Sequence, residues 1–308
     1  MRRITLLLFL AFQMAIGQET SKVLPAFSEI ISQFPTVRDF TISPNQDEAY
    51  FTIQGYMGDL STIVKITKEG TTWSTPKVAP FSGQYSDLEA MFSPDGLKLF
   101  FVSKRPENTT STKPKDHDIW YIQRVNTTSA WSTPINIGSP INTEGDEFYP
   151  SIAKNGNLYF TSTGQGTKGK DDIFISSLEN GKYTTPKSLG NAINSVGYEY
   201  NAYIAPDESF LIFGGYKRKD GLGSGDLYIS YHKDNTWSEA KNLTKAVNSD
   251  KMDYCPYYDL KTKTLYFTSK RYNMPQGFEQ PQDLKQLLKH MNSYENGLSR
   301  IYSTSIKL

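Results

Sequence analysis

The sequence predicts an all-β chain that folds as a five-bladed β-propeller of four-stranded antiparallel blades. A strand–turn–strand motif recurs five times at intervals of about 50 to 60 residues. Aromatic residues make up 13% of the chain, a composition that favours strands over helices. An N-terminal segment also resembles the outer strand of a repeat, which would close the ring of blades.

The first 17 residues are predicted to be a signal peptide, followed by a single propeller domain over residues 18–308. Arg2 and Arg3 precede an apolar run at residues 4–16, and small residues precede the expected cleavage site. The run is short for a membrane span, and an uncleaved N-terminal anchor is the alternative. No cysteine follows it to accept a lipid. We therefore expect a periplasmic or secreted protein.

Charge and cysteine content narrow the function classes. The chain has 33 basic and 32 acidic residues, and loss of Arg2 and Arg3 with the signal peptide leaves 31 and 32. This balance predicts no nucleic-acid partner. No second apolar run predicts a stable membrane span after cleavage. Cys255 is the only cysteine, so no intramolecular disulfide forms, and we expect a buried side chain rather than a nucleophile.

The repeated hairpin is clearest in the second copy. Ser93-Pro94-Asp95-Gly96 joins two apolar stretches, because Pro-Asp-Gly is a turn sequence in which Gly supplies a positive φ. Each copy continues into a similar apolar triplet that begins its second strand. The five triplets are residues 49–51, 99–101, 158–160, 211–213 and 265–267.

Further strands complete each repeat. Third strands are predicted at residues 61–66, 118–122, 172–175, 226–229 and 300–303. Fourth strands are predicted to open at Trp73, Trp131, Tyr183 and Trp237. The fifth copy has none, but residues 22–28 resemble residues 77–82 of the first copy. The N-terminal segment is therefore predicted to complete the last blade and hide an edge strand.

These residues resemble a known repeat. The pattern Ser-Pro-Asp-Gly, Phe-Phe and Asp-Ile-Trp at residues 93–96, 100–101 and 118–120 resembles the PD40, or WD40-like, repeats of TolB-type periplasmic propellers. The resemblance covers nearly all of the mature chain. It implies a propeller that binds or scaffolds, although one fold hosts many functions.

Carboxylates recur near the start of the innermost strand of the repeats. A first column, in four of the five repeats, holds Asp87, Glu147, Glu199 and Asp253, and a second column two residues later holds Asp39 and Glu89. Because strand side chains alternate, we expect both columns to share one face at a mouth of the central channel. Asp146 belongs to the same acidic turn as Glu147.

Two interpretations of these acids are open. They could be structural, satisfying backbone donors or pairing with neighbouring blades, or they could form a ring that binds a cation or a cationic ligand. Clustered acids need a counter-charge. Arg105, Arg218 and Arg271 end second strands close to the acids, so pairing across this rim is expected. These acids and arginines are the candidate ligand-binding residues, and we assign no catalytic residue.

The same rim carries the longest predicted loops, which connect second to third strands. In the fifth repeat, Leu284, Leu287, Leu288 and Met291 follow Pro281 at helical spacing. We predict a short amphipathic helix near residues 282–291 that docks its apolar stripe on the propeller. A helix that binds a partner is the alternative.

No cofactor or metal is expected from the sequence. His117, His232 and His290 show no ligand spacing, and the Gly-rich segments 163–166 and 221–225 do not open helices as phosphate-binding loops do.

We therefore expect a monomeric, exported, non-catalytic binding or scaffold propeller that engages a protein or an envelope glycan on its long-loop face. The alternative is a glycan-active hydrolase that uses two of the channel-mouth carboxylates as acid and base. Some five-bladed propellers are furanosidase-type glycoside hydrolases, and this alternative rests on that fold-level analogy alone.

Overall fold

A computed structural model describes residues 22–107, 115–164 and 166–308, and the predicted signal peptide lies outside them. Five antiparallel sheets succeed one another along the chain. Each innermost strand contacts the innermost strand of the next sheet, and the last contacts the first. The predicted five-bladed propeller is therefore confirmed. Within the described residues, no helix has the length and apolar character needed to cross a membrane.

Two short elements precede the first blade, β1 (Leu24–Pro25) and α1 (Ser28–Ile31). The strands of blade 1 are β2 (Thr36–Ile42), β3 (Glu48–Gln54), β4 (Ser61–Glu69), β5 (Thr72–Trp73) and β6 (Lys77–Val78). Blade 2 contains β7 (Asp87–Phe92), β8 (Lys98–Ser103), β9 (Asp118–Gln123) and β10 (Ile135–Asn136).

Blade 3 is formed by β11 (Glu147–Ile152), β12 (Leu158–Ser162), β13 (Asp172–Ser176) and β16 (Lys187–Ser188), with β14 (Leu178–Glu179) and β15 (Lys182–Tyr183) as a separate ribbon. Blade 4 contains β17 (Tyr198–Ile204), β18 (Phe210–Tyr216), β19 (Asp226–Lys233), β20 (Thr236–Trp237) and β21 (Lys241–Asn242). Blade 5 contains β22 (Asp253–Asp259), β23 (Thr264–Ser269) and β24 (Arg300–Ser305), with α2 (Leu284–Met291) between the last two strands.

The N-terminal strand closes the ring as predicted. Strand β1 pairs antiparallel with β24, with Leu24 opposite Ser303 and Pro25 opposite Tyr302. The outer edge of blade 5 is therefore covered by a segment from the other end of the described chain. This pairing ties the first blade to the last, since β1 leads directly into blade 1.

The outer strands begin later than the sequence predicted. Trp73 and Trp237 lie in short ribbons that extend the third strands, while the fourth strands proper are β6, β10, β16 and β21. In three blades a proline at position 76, 134 or 186 immediately precedes the fourth strand. Proline has no backbone N–H to donate to a sheet, which explains why pairing resumes only after it.

The hydrophobic core lies between consecutive blades. One cluster joins Ile212 and Leu227 of blade 4 to Leu265 and Phe267 of blade 5, and a second joins Val37 and Phe51 of blade 1 to Ile301 of blade 5. Three further clusters fill the remaining junctions. The aromatic content of the sequence is therefore used mainly where one sheet packs on the next.

Candidate functional site

A β-bulge interrupts the innermost strand of every blade at the same position. In blade 1 the register between β2 and β3 shifts between Arg38 and Phe40, and the other four blades show the same shift. Non-glycine residues seldom adopt the left-handed backbone found here. The bulged residues, with φ between 43 and 60°, are Asp39, Glu89, Tyr149, Asn201 and Cys255.

The bulge separates the two predicted columns of acids. Glu89 contacts residues of three other blades, whereas Asp87, two positions earlier, is bonded within its own blade and to the loop that enters it. The expectation that both columns share one face is therefore wrong. Strict alternation of side chains does not hold across a residue in the left-handed region.

Arg38 is the central cation of the second column. Its Nε lies 3.3 Å from Asp39 Oδ2, and its Nη2 donates to Glu89 Oε1 and, over 3.2 Å, to Cys255 Sγ. Its guanidinium also lies 5.3 Å from the ring centroid of Tyr254. One arginine therefore serves both acids that the sequence placed in this column.

Glu89 also forms hydrogen bonds with blades 3 and 4, on the opposite side of the propeller axis. Its carboxylate accepts hydrogen bonds from Tyr149 N over 2.8 Å and from Asn201 Nδ2 over 3.1 Å. Asp39 and Glu89 are at most 2% exposed. Burial raises the pKa of Asp39 to about 7, against the opposing effect of Arg38. This network, which we call the axial network, joins blades 1 to 5 around the axis.

Cys255 belongs to this buried network. It is 1% exposed, as predicted, and burial raises the pKa of its thiol despite the nearby Arg38. A nucleophilic cysteine needs an accessible thiolate, so this position suits packing rather than chemistry.

The first column forms a repeated structure that we call the arginine clamp. It consists of an acid at or next to the start of the innermost strand, an arginine two residues past the second strand, and a backbone carbonyl six residues before the acid. In blade 2, Arg105 Nη2 lies 2.8 Å from both Asp87 Oδ1 and Phe81 O. In blade 4, Arg218 Nη1 lies 2.9 Å from both Glu199 Oε1 and Ile193 O.

Blade 5 repeats the clamp with a longer ion pair. Arg271 Nη2 lies 3.4 Å from Asp253 Oδ1 and donates to Val247 O. Burial raises the pKa of Asp253, and Arg271 opposes this shift. The ion pairs expected between the acids and the arginines are therefore present in blades 2, 4 and 5.

Each clamp arginine also packs on two aromatic rings of its blade. Its guanidinium carbon lies 4.8 to 5.8 Å from the two ring centroids. Planar cations bind favourably at aromatic faces. The ring pairs are Phe101 and Trp120 in blade 2, Phe213 and Tyr228 in blade 4, and Phe267 and Tyr302 in blade 5.

Blade 1 replaces the clamp with apolar side chains. Val37 stands at the position of the acid, and Ile31 stands six residues earlier; both are fully buried in one hydrophobic cluster. Neither charge of the clamp is present, so none is left without a partner.

Blade 3 retains the acid without an arginine. Glu147 is fully buried and accepts hydrogen bonds from Thr143 N (3.0 Å), Thr143 Oγ1 (2.6 Å) and Ser162 Oγ (3.3 Å). It forms no ion pair with any residue in the described ranges. Burial raises the pKa of Glu147 to about 7, and the hydrogen bonds from Thr143 only partly oppose this.

Asp146 points away from Glu147 towards blade 2. Its Oδ1 accepts from His117 N over 2.9 Å and lies 3.0 Å from His117 Nδ1. Its side chain is 40% exposed. Burial lowers the pKa of His117, and the hydrogen bond to Asp146 opposes that shift. The two neighbouring acids of this turn therefore occupy different environments.

A helix lies in the long loop of blade 5, at Leu284–Met291. Asp283 caps its N-terminus through a reciprocal pair of hydrogen bonds with Gln286. The predicted docking of its apolar stripe is wrong: Leu284, Leu288 and Met291 are 72, 46 and 57% exposed, and only Leu287 is half-buried.

The loop is anchored to the propeller by Tyr294 and not by the helix. The Tyr294 hydroxyl donates to Ile301 O over 2.6 Å and lies 3.0 Å from Ala26 O, and its ring packs edge-on against Tyr302. Because the anchor lies after the helix, the loop is attached to blade 5 without burying the helical stripe.

Sequence reasoning missed two features of the site. Arg38 is not among the predicted site residues, although it directly precedes Asp39 in the sequence. Thr143, Ser195 and Ser249 were also missed, although each precedes an acid by four residues and donates both backbone and side-chain hydrogen bonds to it.

Taken together, these acids are mostly held by internal partners. Acid–base hydrolysis of a glycoside needs two carboxylates that reach one substrate bond. Asp39 and Glu89 share Arg38, and three first-column acids are clamped by arginines. Within the described ranges, no group of three or more His, Cys, Asp or Glu side chains is placed to hold a metal.

Comparison with known proteins identifies the fold but no family. No family model and no curated protein matches the chain. The solved structure of an α-L-arabinofuranosidase from Lactobacillus brevis is 12% identical, with a TM-score of 0.50 over 89% of this chain and 93% of that one. The α-L-arabinofuranosidase PaAbf62A from Podospora anserina is 11% identical, with a TM-score of 0.50 over 93% of this chain and 94% of that one.

A protein provisionally named TolB, from Agrobacterium tumefaciens, is 15% identical, with a TM-score of 0.49 over 81% of this chain and 75% of that one. At such identities, structural likeness extends to the fold alone. The likeness to the two α-L-arabinofuranosidases therefore shows the propeller fold and nothing about activity.

Proposed function

We propose that this chain is an exported, non-catalytic binding propeller that engages a protein partner on the rim carrying the loops between second and third strands. The observation that carries the proposal is the exposed apolar stripe of α2. Leu284, Leu288 and Met291 are each 46 to 72% exposed on a well-capped helix. Apolar side chains grouped on one helical face favour burial against a partner.

The residues of α2 indicate what kind of partner surface the helix would fit. The helix carries Lys285 and Lys289 and no acidic residue. A groove that receives it would be apolar at the centre and acidic at its margins. Leucine and methionine side chains suit such a protein groove better than a glycan, whose hydroxyl groups need polar partners.

Export is part of the proposal. The basic n-region, apolar run and small residues of segment 1–17 are typical of a signal peptide. A partner in the periplasm or outside the cell would therefore be expected, as the PD40-type resemblance also implies.

The proposal can be tested by capture from a cell-envelope extract with immobilised protein of residues 18–308. We expect a defined set of partners to bind the wild type and to be lost from the triple variant Leu284→Ser, Leu288→Ser, Met291→Ser, measured by quantitative mass spectrometry. Val125→Ser is the matched control, because Val125 is 89% exposed beyond the third strand of blade 2, on the opposite rim. Identical captured sets for wild type and triple variant would overturn the proposal.

The hydrolase alternative has a direct assay. Its structural support is the shared propeller architecture and the raised pKa of Glu147, a property that general acids require. The pairing of the other acids opposes it, because two carboxylates must reach one glycosidic bond. We expect no turnover of aryl arabinofuranosides by the wild type; turnover that Glu147→Gln abolishes would instead establish the hydrolase.

A further inference from the structure

Three blades fill the same position with an arginine of their own. In each, the guanidinium lies between a buried acid and a backbone carbonyl and packs on two aromatic rings. These walls define a slot shaped for a planar cation, which we call the guanidinium slot. Three occupied copies in one chain show directly which chemical group the slot accommodates.

Blade 3 has the walls of the slot and no arginine in it. Glu147 supplies the acid, Ile141 stands six residues earlier, and Phe160 and Phe174 pack together with ring centroids 6.2 Å apart. Gly164 stands where blades 2, 4 and 5 have their arginines, two residues past the second strand. Its N–H donates to Ser162 Oγ over 3.1 Å.

The same hydrogen bond fixes the arginines of two other blades. Arg105 N donates to Ser103 Oγ over 3.1 Å, and Arg271 N donates to Ser269 Oγ over 3.2 Å. The backbone of blade 3 therefore follows the course of blades 2 and 5 at this point. What differs is that a glycine provides no side chain to enter the slot.

A cavity occupies the corresponding space. Its volume is about 650 Å³, within the range of about 300–1,000 Å³ typical of ligand sites. It is lined by both aromatic rings, by Ile141, by Gly164, and by Thr143 and Ser162. Glu147 itself is fully buried behind Thr143 and Ser162, the two residues that bond it. The exposed Glu144 stands at its margin and adds negative charge to the opening.

We propose that this cavity binds the arginine side chain of a partner protein, whose guanidinium takes the place that Arg105, Arg218 and Arg271 fill in the other blades, with a shift of the Thr143 and Ser162 side chains that cover Glu147. The inference rests on the proposed binding function and deepens it, because it names the side chain that a partner would insert. The slot opens beside residues 162–164, at the start of a loop between second and third strands, and so on the proposed binding rim.

The slot favours arginine over lysine for geometric reasons. A guanidinium can donate to a carboxylate and a carbonyl at once while its flat faces rest on aromatic rings. An ammonium is more strongly hydrated and has no flat face. The free energy of binding would come mainly from giving Glu147 the cation that it lacks, since an unpaired buried carboxylate is costly.

The direct test is calorimetric titration of the full mature protein with N-acetyl-L-arginine amide. We expect a dissociation constant roughly in the millimolar range, as for other small ligands. The lysine analogue and the uncharged citrulline analogue should each bind at least roughly tenfold more weakly than the arginine amide. Equal binding of the citrulline analogue would overturn the proposal, since it would show that the charge is irrelevant.

Two variants locate the binding. Glu147→Gln removes the charge, and Gly164→Arg supplies the arginine from within the chain, so each should reduce binding at least about tenfold. Glu144→Gln, at the margin, should reduce it by no more than about threefold. Far-ultraviolet circular dichroism checks that the variants fold, and unchanged binding by a folded Gly164→Arg protein would overturn the proposal.

Affinity should also rise with pH. Because the pKa of Glu147 is raised to about 7, binding should strengthen about tenfold between pH 6 and 8 as the carboxylate ionises. The other charged groups near it are Asp118, which is paired with Lys115, and Glu144 at the margin. Binding that does not change over this range would contradict the role of Glu147.

The source of the guanidinium is resolved by comparing ligands. Free L-arginine binding at least tenfold more tightly than the capped amide would overturn the assignment to a protein side chain and indicate a site for the free amino acid. If the wild type does not bind the arginine amide but still captures partners through α2, this inference is overturned and the proposed function stays intact. Arginine-amide binding without any captured partner would overturn the proposed function and leave this inference intact.

Discussion

Blades 3 and 4 place a glutamate in the same position and support it in the same way, yet give it different counter-charges. Glu147 and Glu199 each accept a backbone N–H and a hydroxyl from the residue four positions earlier. Only Glu199 also has an arginine, Arg218, at 2.9 Å. The difference shows that the clamp has two separable parts: a hydrogen-bonded acid, and a cation that neutralises it.

Blade 1 extends this comparison, because it lacks both parts. Val37 and Ile31 fill the position with apolar atoms that require no partner. Removing both members of a buried pair is usually tolerated, whereas removing one leaves a charge without compensation. Within the described residues, blade 3 is the case with only one member, and the proposed arginine site is based on this difference.

The largest effect is expected from making blade 4 resemble blade 3. Arg218→Met should leave Glu199 buried without a cation and lower the free energy of unfolding by about 3–5 kcal/mol. Urea unfolding measures this loss. Lys219→Met, a substitution at an exposed neighbour, should change stability by no more than about 0.5 kcal/mol. A loss below about 1 kcal/mol in Arg218→Met would mean that the clamp contributes little.

The next largest effect is pH-dependent and lies in blade 3. The pKa of Glu147 in the folded protein is about 7, above its ordinary value of 4.5. The folded state therefore holds this proton more tightly, and stability is full at low pH and falls as the pH rises from about 4.5 through about 7. Glu147→Gln should remove this loss and be more stable than the wild type by about 3 kcal/mol at pH 9, with little difference at pH 4.5.

Urea unfolding at pH 4.5, 7 and 9 follows this difference. The matched control is Glu199→Gln, which should be less stable than the wild type at pH 9, because it leaves Arg218 buried without its acid. A difference between wild type and Glu147→Gln that stays constant with pH would show that the proton on Glu147 is held no more tightly in the folded state.

A smaller, stabilising effect is expected from making blade 3 resemble blades 2 and 5. Gly164→Arg should place a guanidinium beside Glu147 and raise the free energy of unfolding by about 1–2 kcal/mol at pH 9. The backbone of Gly164 lies outside the left-handed region, and an added Cβ would lie 3.3 Å from Ser162 Oγ and 3.4 Å from Thr143 Oγ1, so these two side chains must shift slightly. Thermal unfolding measures the gain, and Gly164→Met, which has no charge, should not reproduce it.

The smallest effect is expected from making blade 4 resemble blade 1. The double variant Glu199→Val, Arg218→Met removes both charges and should lie within about 1 kcal/mol of the wild type. It should therefore recover most of the stability lost in Arg218→Met alone, measured by urea unfolding. A double variant as unstable as the single one would show that packing around the arginine, rather than its pairing, stabilises the blade.

Much of the fold follows from local sequence patterns. The turn at Ser93–Gly96 and its four counterparts, with the alternating strands that follow, predicted five hairpins and thus five blades. The likeness of residues 22–28 to residues 77–82 predicted the closure by β1. These features depend on short segments whose backbone preferences do not need the rest of the chain.

The sequence could not predict in the same way which residue pairs with each acid of the site. Asp87 pairs with Ser103, sixteen residues on, whereas Glu147 pairs with Ser162, fifteen residues on. This shorter hairpin hides the correspondence between Gly164 and Arg105 in the sequence. The bulge at Asp39 and Glu89 likewise turns one column of acids to the axis, although simple alternation would place both columns together.

By itself, the sequence determined the number of blades, their closure, and which acids and arginines occur near the rim, because strand alternation and turn chemistry act over a few residues. Only the tertiary structure decided which acid receives which cation, because a counter-charge depends on register and bulges that bring together residues far apart in the chain. The same reason explains why Glu147, which has no ion pair within the described residues, and the cavity beside it become visible only when the blades are compared in space.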